Sequence, residues 1–165
     1  MAPPQSTPGT VVEYPNRDKA SSKIVKWIVV LILLVSAALV AIVGGGGWEV
    51  LRGAKALLVA YVVLYVVLAF FVARWRNGML PVSAALAMIL ILFAVVAAPQ
   101  WFNRGDVGFI DTTLPEELLG LVTLGIIGAQ VLLIAFAMLG FRQNWQTEVE
   151  RRVDDDRGGA VPQAA

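Results

Sequence analysis

LRGAKALLVAYVVLYVVLAFFVARWR, residues 51–76, carries an unbroken apolar run from Ala56 to Ala73, set between Lys55 and the triplet Arg74-Trp75-Arg76. An apolar helix needs about 20 residues to cross the ~30 Å hydrocarbon core of a bilayer. Counted from Leu51 to Ala73, this block reaches that length. A tryptophan flanked by arginines is what a helix presents to headgroups as it leaves the bilayer. Three further blocks of the same kind lie at 24–43, 80–98 and 118–141. The last extends back to residue 114 if the helix begins at its polar start signal. The chain therefore reads as all-α, an integral membrane antiparallel four-helix bundle with spans at about 24–43, 51–73, 80–98 and 114–141.

Composition supports this reading. Hydrophobic residues make up 58% of the chain and charged residues 15%, where a soluble domain carries about a quarter charged. Little of the 165 residues remains outside the blocks. Residues 1–23 form an N-terminal tail whose Pro3, Pro4, Pro8 and Pro15 among Ser, Thr and Gly predict disorder. Residues 142–165 form a C-terminal tail. Its first part, to residue 153, has helix-forming composition and is expected to prolong the fourth helix. No internal repeat is evident.

The tails and loops fix an expected orientation. With both termini cytoplasmic, the inner side holds Arg17, Lys19, Lys23, Lys26, Arg74, Arg76, Arg142, Arg151, Arg152 and Arg157, and the outer side only Arg52, Lys55 and Arg104. Positive residues accumulate inside, so N-in and C-in is expected. Trp27, Trp75 and Trp145 then mark the inner boundary and Trp48 and Trp101 the outer. The apolar stretch 27–43 exceeds the usual core of about 7–15 residues in a secretory signal, so it is read as a retained span. Nine arginines to four lysines, with much Ala and Val, point to a GC-rich bacterium and its cytoplasmic membrane.

Local signals place the helix ends. Gly44 to Gly47 is expected to end the first span, because each helical glycine costs about 1 kcal/mol relative to alanine. Gly78 suits a left-handed cap of the second helix and Pro81 the first turn of the third. Thr113-Leu114-Pro115-Glu116 matches a capping box for the fourth.

Chemistry-bearing residues are few. The chain has no cysteine and no histidine, which removes disulfides, thiolate nucleophiles, ordinary haem ligation and His-based metal sites. Met79, Met88 and Met138 read as apolar packing rather than ligands. No cofactor or metal is expected, and no nucleic-acid partner follows from a net charge of +1. Arg104-Gly105-Asp106 spells an adhesion tripeptide that three residues match easily by chance, and Asn103, Asp106 and Asp111 depart from calcium-loop spacing. The central part of every block lacks Asp, Glu, Lys and Arg, the usual marks of pumps and transporters.

Three groups remain as candidate sites. Tyr61 and Tyr65 share a face of the second helix, and Thr123 and Gln130 lie along one face of the fourth. An amide in hydrocarbon must find partners, so these four predict an intramembrane polar cluster between helices two and four. Arg52 and Lys55 are expected to pair across the outer face with Asp106, Asp111, Glu116 or Glu117. Arg17, Lys19, Lys23 and Lys26 are expected to form a lipid-facing basic patch.

The expected function is a non-enzymatic structural or accessory subunit of a larger membrane assembly, or a homo-oligomer. Its partners are the lipid bilayer and other membrane subunits or itself. The alternative is a small transporter or channel with a polar site between helices two and four. Four-helix exporters of the small multidrug resistance type are similar to this chain in helix count alone. They work through a carboxylate in their first helix, where this chain has only Ser36 as an interior polar side chain.

Overall fold

The computed structural model describes residues 10–104 and 112–152. In order, these form a short strand β1 (Thr10–Glu13), a single turn α1 (Pro15–Asp18), four long helices α2 (Ala20–Gly46), α3 (Lys55–Ala73), α4 (Met79–Phe102) and α5 (Glu116–Arg142), and a strand β2 (Val149–Arg152). Each long helix is long and apolar enough to cross a membrane. The protein is a multi-pass membrane protein built as an antiparallel four-helix bundle. Helix α2 packs between α3 and α5, and α5 packs most extensively on α4. Helices α3 and α4 follow one another in sequence but touch only sparingly, which leaves a seam between them.

Burial in the bundle suits a hydrocarbon solvent. Large apolar side chains point outward, with Leu92 at 68%, Val96 at 64% and Leu31 at 61% exposed. The interior holds Leu33, Val40, Leu80, Leu119 and Leu133, and also small or polar residues such as Ser36, Ala37, Ala87, Gly120 and Gln130. Lipid tails are as apolar as leucine, so burying apolar surface drives no association between spans. Close packing through small side chains and interhelical hydrogen bonds does.

Four local expectations are revised. The glycine run does not end the first span before Gly44, since α2 continues through Gly46. Gly46 is helical because of what it packs against: a Cβ there would lie 2.7 Å from Leu114 Cδ1 and 2.8 Å from Leu119 Cδ2. The Gly46 carbonyl, left over at the helix end, accepts a 3.0 Å hydrogen bond from the Thr113 amide. The second helix starts at Lys55 rather than Leu51, after a turn-rich loop.

The cap between α3 and α4 is also displaced. Gly78 sits at φ −63, and the positive φ falls on Trp75, at 64. The Trp75 amide donates to Val72 O and the Arg76 amide to Phe71 O, at 2.9 and 3.1 Å. That pair is a Schellman closure with tryptophan where glycine is usual. At the start of α5 the expected capping box is not formed. Pro115 is the N-cap, without a side-chain cap bond, and the neighbouring Thr112 hydroxyl donates to Leu114 O at 2.6 Å.

The tails depart most from expectation. Residues from Thr10 onward are not a structureless tail, and the segment after Arg142 is not a helical extension. Strand β1 pairs antiparallel with β2, Thr10 opposite Arg152 and Glu13 opposite Val149. Beside the strands, Tyr14 Oη donates to Glu148 Oε1 at 3.0 Å, Asn16 Nδ2 to Asn144 O at 3.1 Å and Arg17 Nε to Trp145 O at 3.0 Å. The composition of residues 2–22 concealed this, because the short β-branched stretch Thr10-Val11-Val12-Glu13 needs a partner far along the chain to become a strand. The helix after Arg142 breaks because Asn144 takes φ 45, a left-handed conformation that asparagine tolerates. Both described ends of the chain therefore clasp one another at one end of the bundle, called here the tail end.

Candidate functional site: a buried polar chain and an apolar cleft

At mid-depth three helices present one polar side chain each. Ser36 of α2, Tyr65 of α3 and Gln130 of α5 are all fully buried. The Tyr65 hydroxyl donates to Gln130 Oε1 at 2.7 Å, and Gln130 Nε2 donates to Ser36 Oγ at 3.0 Å. An amide with both ends bonded meets the requirement that hydrocarbon imposes on polar groups. The chain ties α2, α3 and α5 at a single level.

The other two members of the expected cluster stand aside. Thr123 turns its hydroxyl back to Leu119 O at 2.7 Å, a bond within its own helix. Tyr61 packs edge-on against the Tyr65 ring, 5.7 Å between centroids, and reaches α4 only through a long 3.5 Å bond to Leu86 O. Ser36 is the member the sequence left out of the cluster. As the lone interior polar side chain of the first span, it was itself the signal.

Beside Tyr61 the seam between α3 and α4 opens into a cleft of about 200 Å³. Val43, Tyr61, Ala94, Trp101, Thr123 and Ile126 are among its walls, so all four helices contribute. Leu57 of α3 and Phe93 of α4 also line it and are exposed on the surface of the bundle, which places its mouth between those helices.

At the loop end, opposite the tails, the part of the expected latch that involves Glu116 and Glu117 does not form. Among the described residues Glu116 and Glu117 make no ion pair with Arg52 or Lys55, and Asp106 and Asp111 lie outside them. The Lys55 ammonium lies instead 4.7 Å from the Trp48 ring centroid. The Tyr65–Gln130 contact forms without Glu116 or Glu117 pairing with either cation.

The four basic residues at the tail end do not act as one patch. Arg17 is drawn into the clasp and stacks over Tyr14 at 3.9 Å. Lys19 Nζ donates to Asn16 Oδ1 at 2.8 Å, and Lys23 pairs loosely with Asp18 at 3.8 Å. Lys26 is buried, its ammonium 4.1 Å from the Trp75 centroid and 4.6 Å from that of Trp27. Burial follows from its position on α2 facing the end of α3, where Ala73 O accepts from it at 3.5 Å.

Comparison with known proteins returns no match: no family model, no curated protein and no solved structure. The chemistry available is that of the chain's own residues. Among the described residues no three Asp or Glu gather as a metal ligand set. The polar chain can hold helices in register, and the cleft can take an apolar guest.

Proposed function

We propose that the protein is a non-enzymatic structural or accessory component of a membrane assembly, formed with other subunits or with copies of itself. One observation supports this most. The deepest polar groups, Tyr65, Gln130 and Ser36, are spent on one another and are fully buried. A transporter or channel of this size needs polar groups facing a hydrated path. The charge bias further supports N-in and C-in placement, and the excess of arginine over lysine with much Ala and Val supports a bacterial cytoplasmic membrane.

The test is extraction in a gentle detergent followed by native mass measurement. The expected outcome is a stoichiometric complex with other membrane subunits, or a defined oligomer inert towards solutes in liposomes. A species that moves a solute when reconstituted, and loses that activity in Gln130→Leu while remaining folded, would replace this reading with the transporter.

A further inference from the structure

We propose that the cleft between α3 and α4 is a phospholipid site, with one acyl chain lodged between the helices and the phosphate at the loop end. This stands apart from the accessory role and would hold for a transporter equally.

The argument begins with the walls. Nearly everything facing the cleft is apolar, and the two hydroxyls there are already engaged, Tyr61 with Leu86 O and Thr123 with Leu119 O. Water needs two to four polar partners to occupy a cavity, and this cleft offers only the acceptor lone pairs of two hydroxyls whose donors are spent. The mouth lies between Leu57 and Phe93, both exposed on helices that span the bilayer. What lies at that mouth is hydrocarbon, and a chain can enter sideways without leaving the membrane.

The loop end supplies the headgroup's counterpart. Trp101 closes the cleft there, and the Arg104 guanidinium lies 5.7 Å from its ring centroid. Leu51 and Ala54 also line the cleft, and the exposed Arg52 falls between them in the chain. Two arginines at the loop end of an apolar slot match the order of charges in a phospholipid, phosphate towards the loops and chain below. Helices α3 and α4 meet only sparingly, as two helices do when something else fills the space between them.

The test uses the full chain in vesicles of phosphatidylethanolamine and phosphatidylglycerol, doped with a phospholipid bearing a diazirine in one acyl chain. After photolysis, adducts are mapped by peptide mass spectrometry. Adducts are expected to concentrate several-fold on Tyr61, Ala94 and Ile126 relative to Leu92 and Val96, which face lipid on α4. Ala94→Phe, which fills the slot, and Leu57→Trp, a surface change that covers the mouth, are each expected to remove the excess while leaving Leu92 and Val96 labelled. A diazirine fatty-acid methyl ester, which lacks the phosphate, is expected to give no excess. Labelling that is even over all exposed residues, that survives both variants, or that is equal for the methyl ester would overturn the proposal.

Discussion

The indole rings of Trp75 and Trp145 meet edge to face, 5.3 Å between centroids at 85°. They join the α3–α4 turn to the segment after α5, and Lys26 stacks on the other partner of the pair, Trp75. A tryptophan with positive φ is a costly choice, by about 1–2 kcal/mol. The aromatic pair and the cation–π contact offset it, at about 0.5–1.5 and 0.5–2 kcal/mol respectively.

Trp145 is fully buried, so Trp145→Ala is expected to destabilise the protein by about 3 kcal/mol or more. Trp27→Ala, at 58% exposure, is expected to cost under about 0.5 kcal/mol. Reversible unfolding of both variants in mixed micelles measures the contrast. Equal losses would mean that the ring pair does not organise the tail end.

The glycine run divides sharply. A Cβ at Gly45 meets nothing within 4 Å, whereas one at Gly46 meets Leu114 and Leu119 below 3 Å. Gly45→Ala is expected to stabilise by up to about 1 kcal/mol through helix propensity. Gly46→Ala is expected to destabilise by about 1–3 kcal/mol through overpacking. The same unfolding assay reads both signs, and a stabilising Gly46→Ala would refute the close packing described.

These glycines also show what the sequence could convey. The four spans were legible because bilayer thickness imposes a length and an apolar composition that no tertiary detail can override. Tyr65 with Gln130 was legible because an amide in hydrocarbon must find a partner. The end of α2 was not, since propensity argues against a glycine helix and only the distant Leu114 and Leu119 explain it. The pairing of β1 with β2 was hidden for the same reason: each strand acquires its meaning from residues more than a hundred positions away.

Within the polar chain, Gln130→Leu is expected to cost about 1 kcal/mol or less, because interhelical hydrogen bonds in membranes average about 0.6 kcal/mol. A double-mutant cycle with Tyr65→Phe should give a coupling of that size. Zero coupling would show that the 2.7 Å contact carries no energy.

The clasp should respond to alkali. Its hydrogen bond to Glu148 holds the Tyr14 phenol above the usual 10.0. The folded state keeps the proton that the unfolded chain releases. The contribution is therefore complete below about pH 10 and disappears as pH climbs through the raised folded value. Amide exchange in β1 and β2 is expected to accelerate over that window, and Tyr14→Phe to abolish the dependence. An unchanged profile in Tyr14→Phe would assign the effect elsewhere.

Orientation is open to a direct check. A reporter fused after Ala165 is expected to be active only in its cytoplasmic form. One inserted at Gly53, exposed in the loop between α2 and α3, is expected to be active only in its exported form. The reverse pattern would invert the charge-based placement.

The pairing of Thr10 with Arg152 sets the timing of biogenesis. A ribosome makes β1 before any of the four long helices and its partner only after all of them have been delivered to the bilayer. Until then β1 is an unsatisfied edge, open to chaperones and to strands of other chains. A nascent chain halted at Arg142 has every span in place and nothing to latch. Delivery of the four helices is thus registered at one spot, by β1 finding β2.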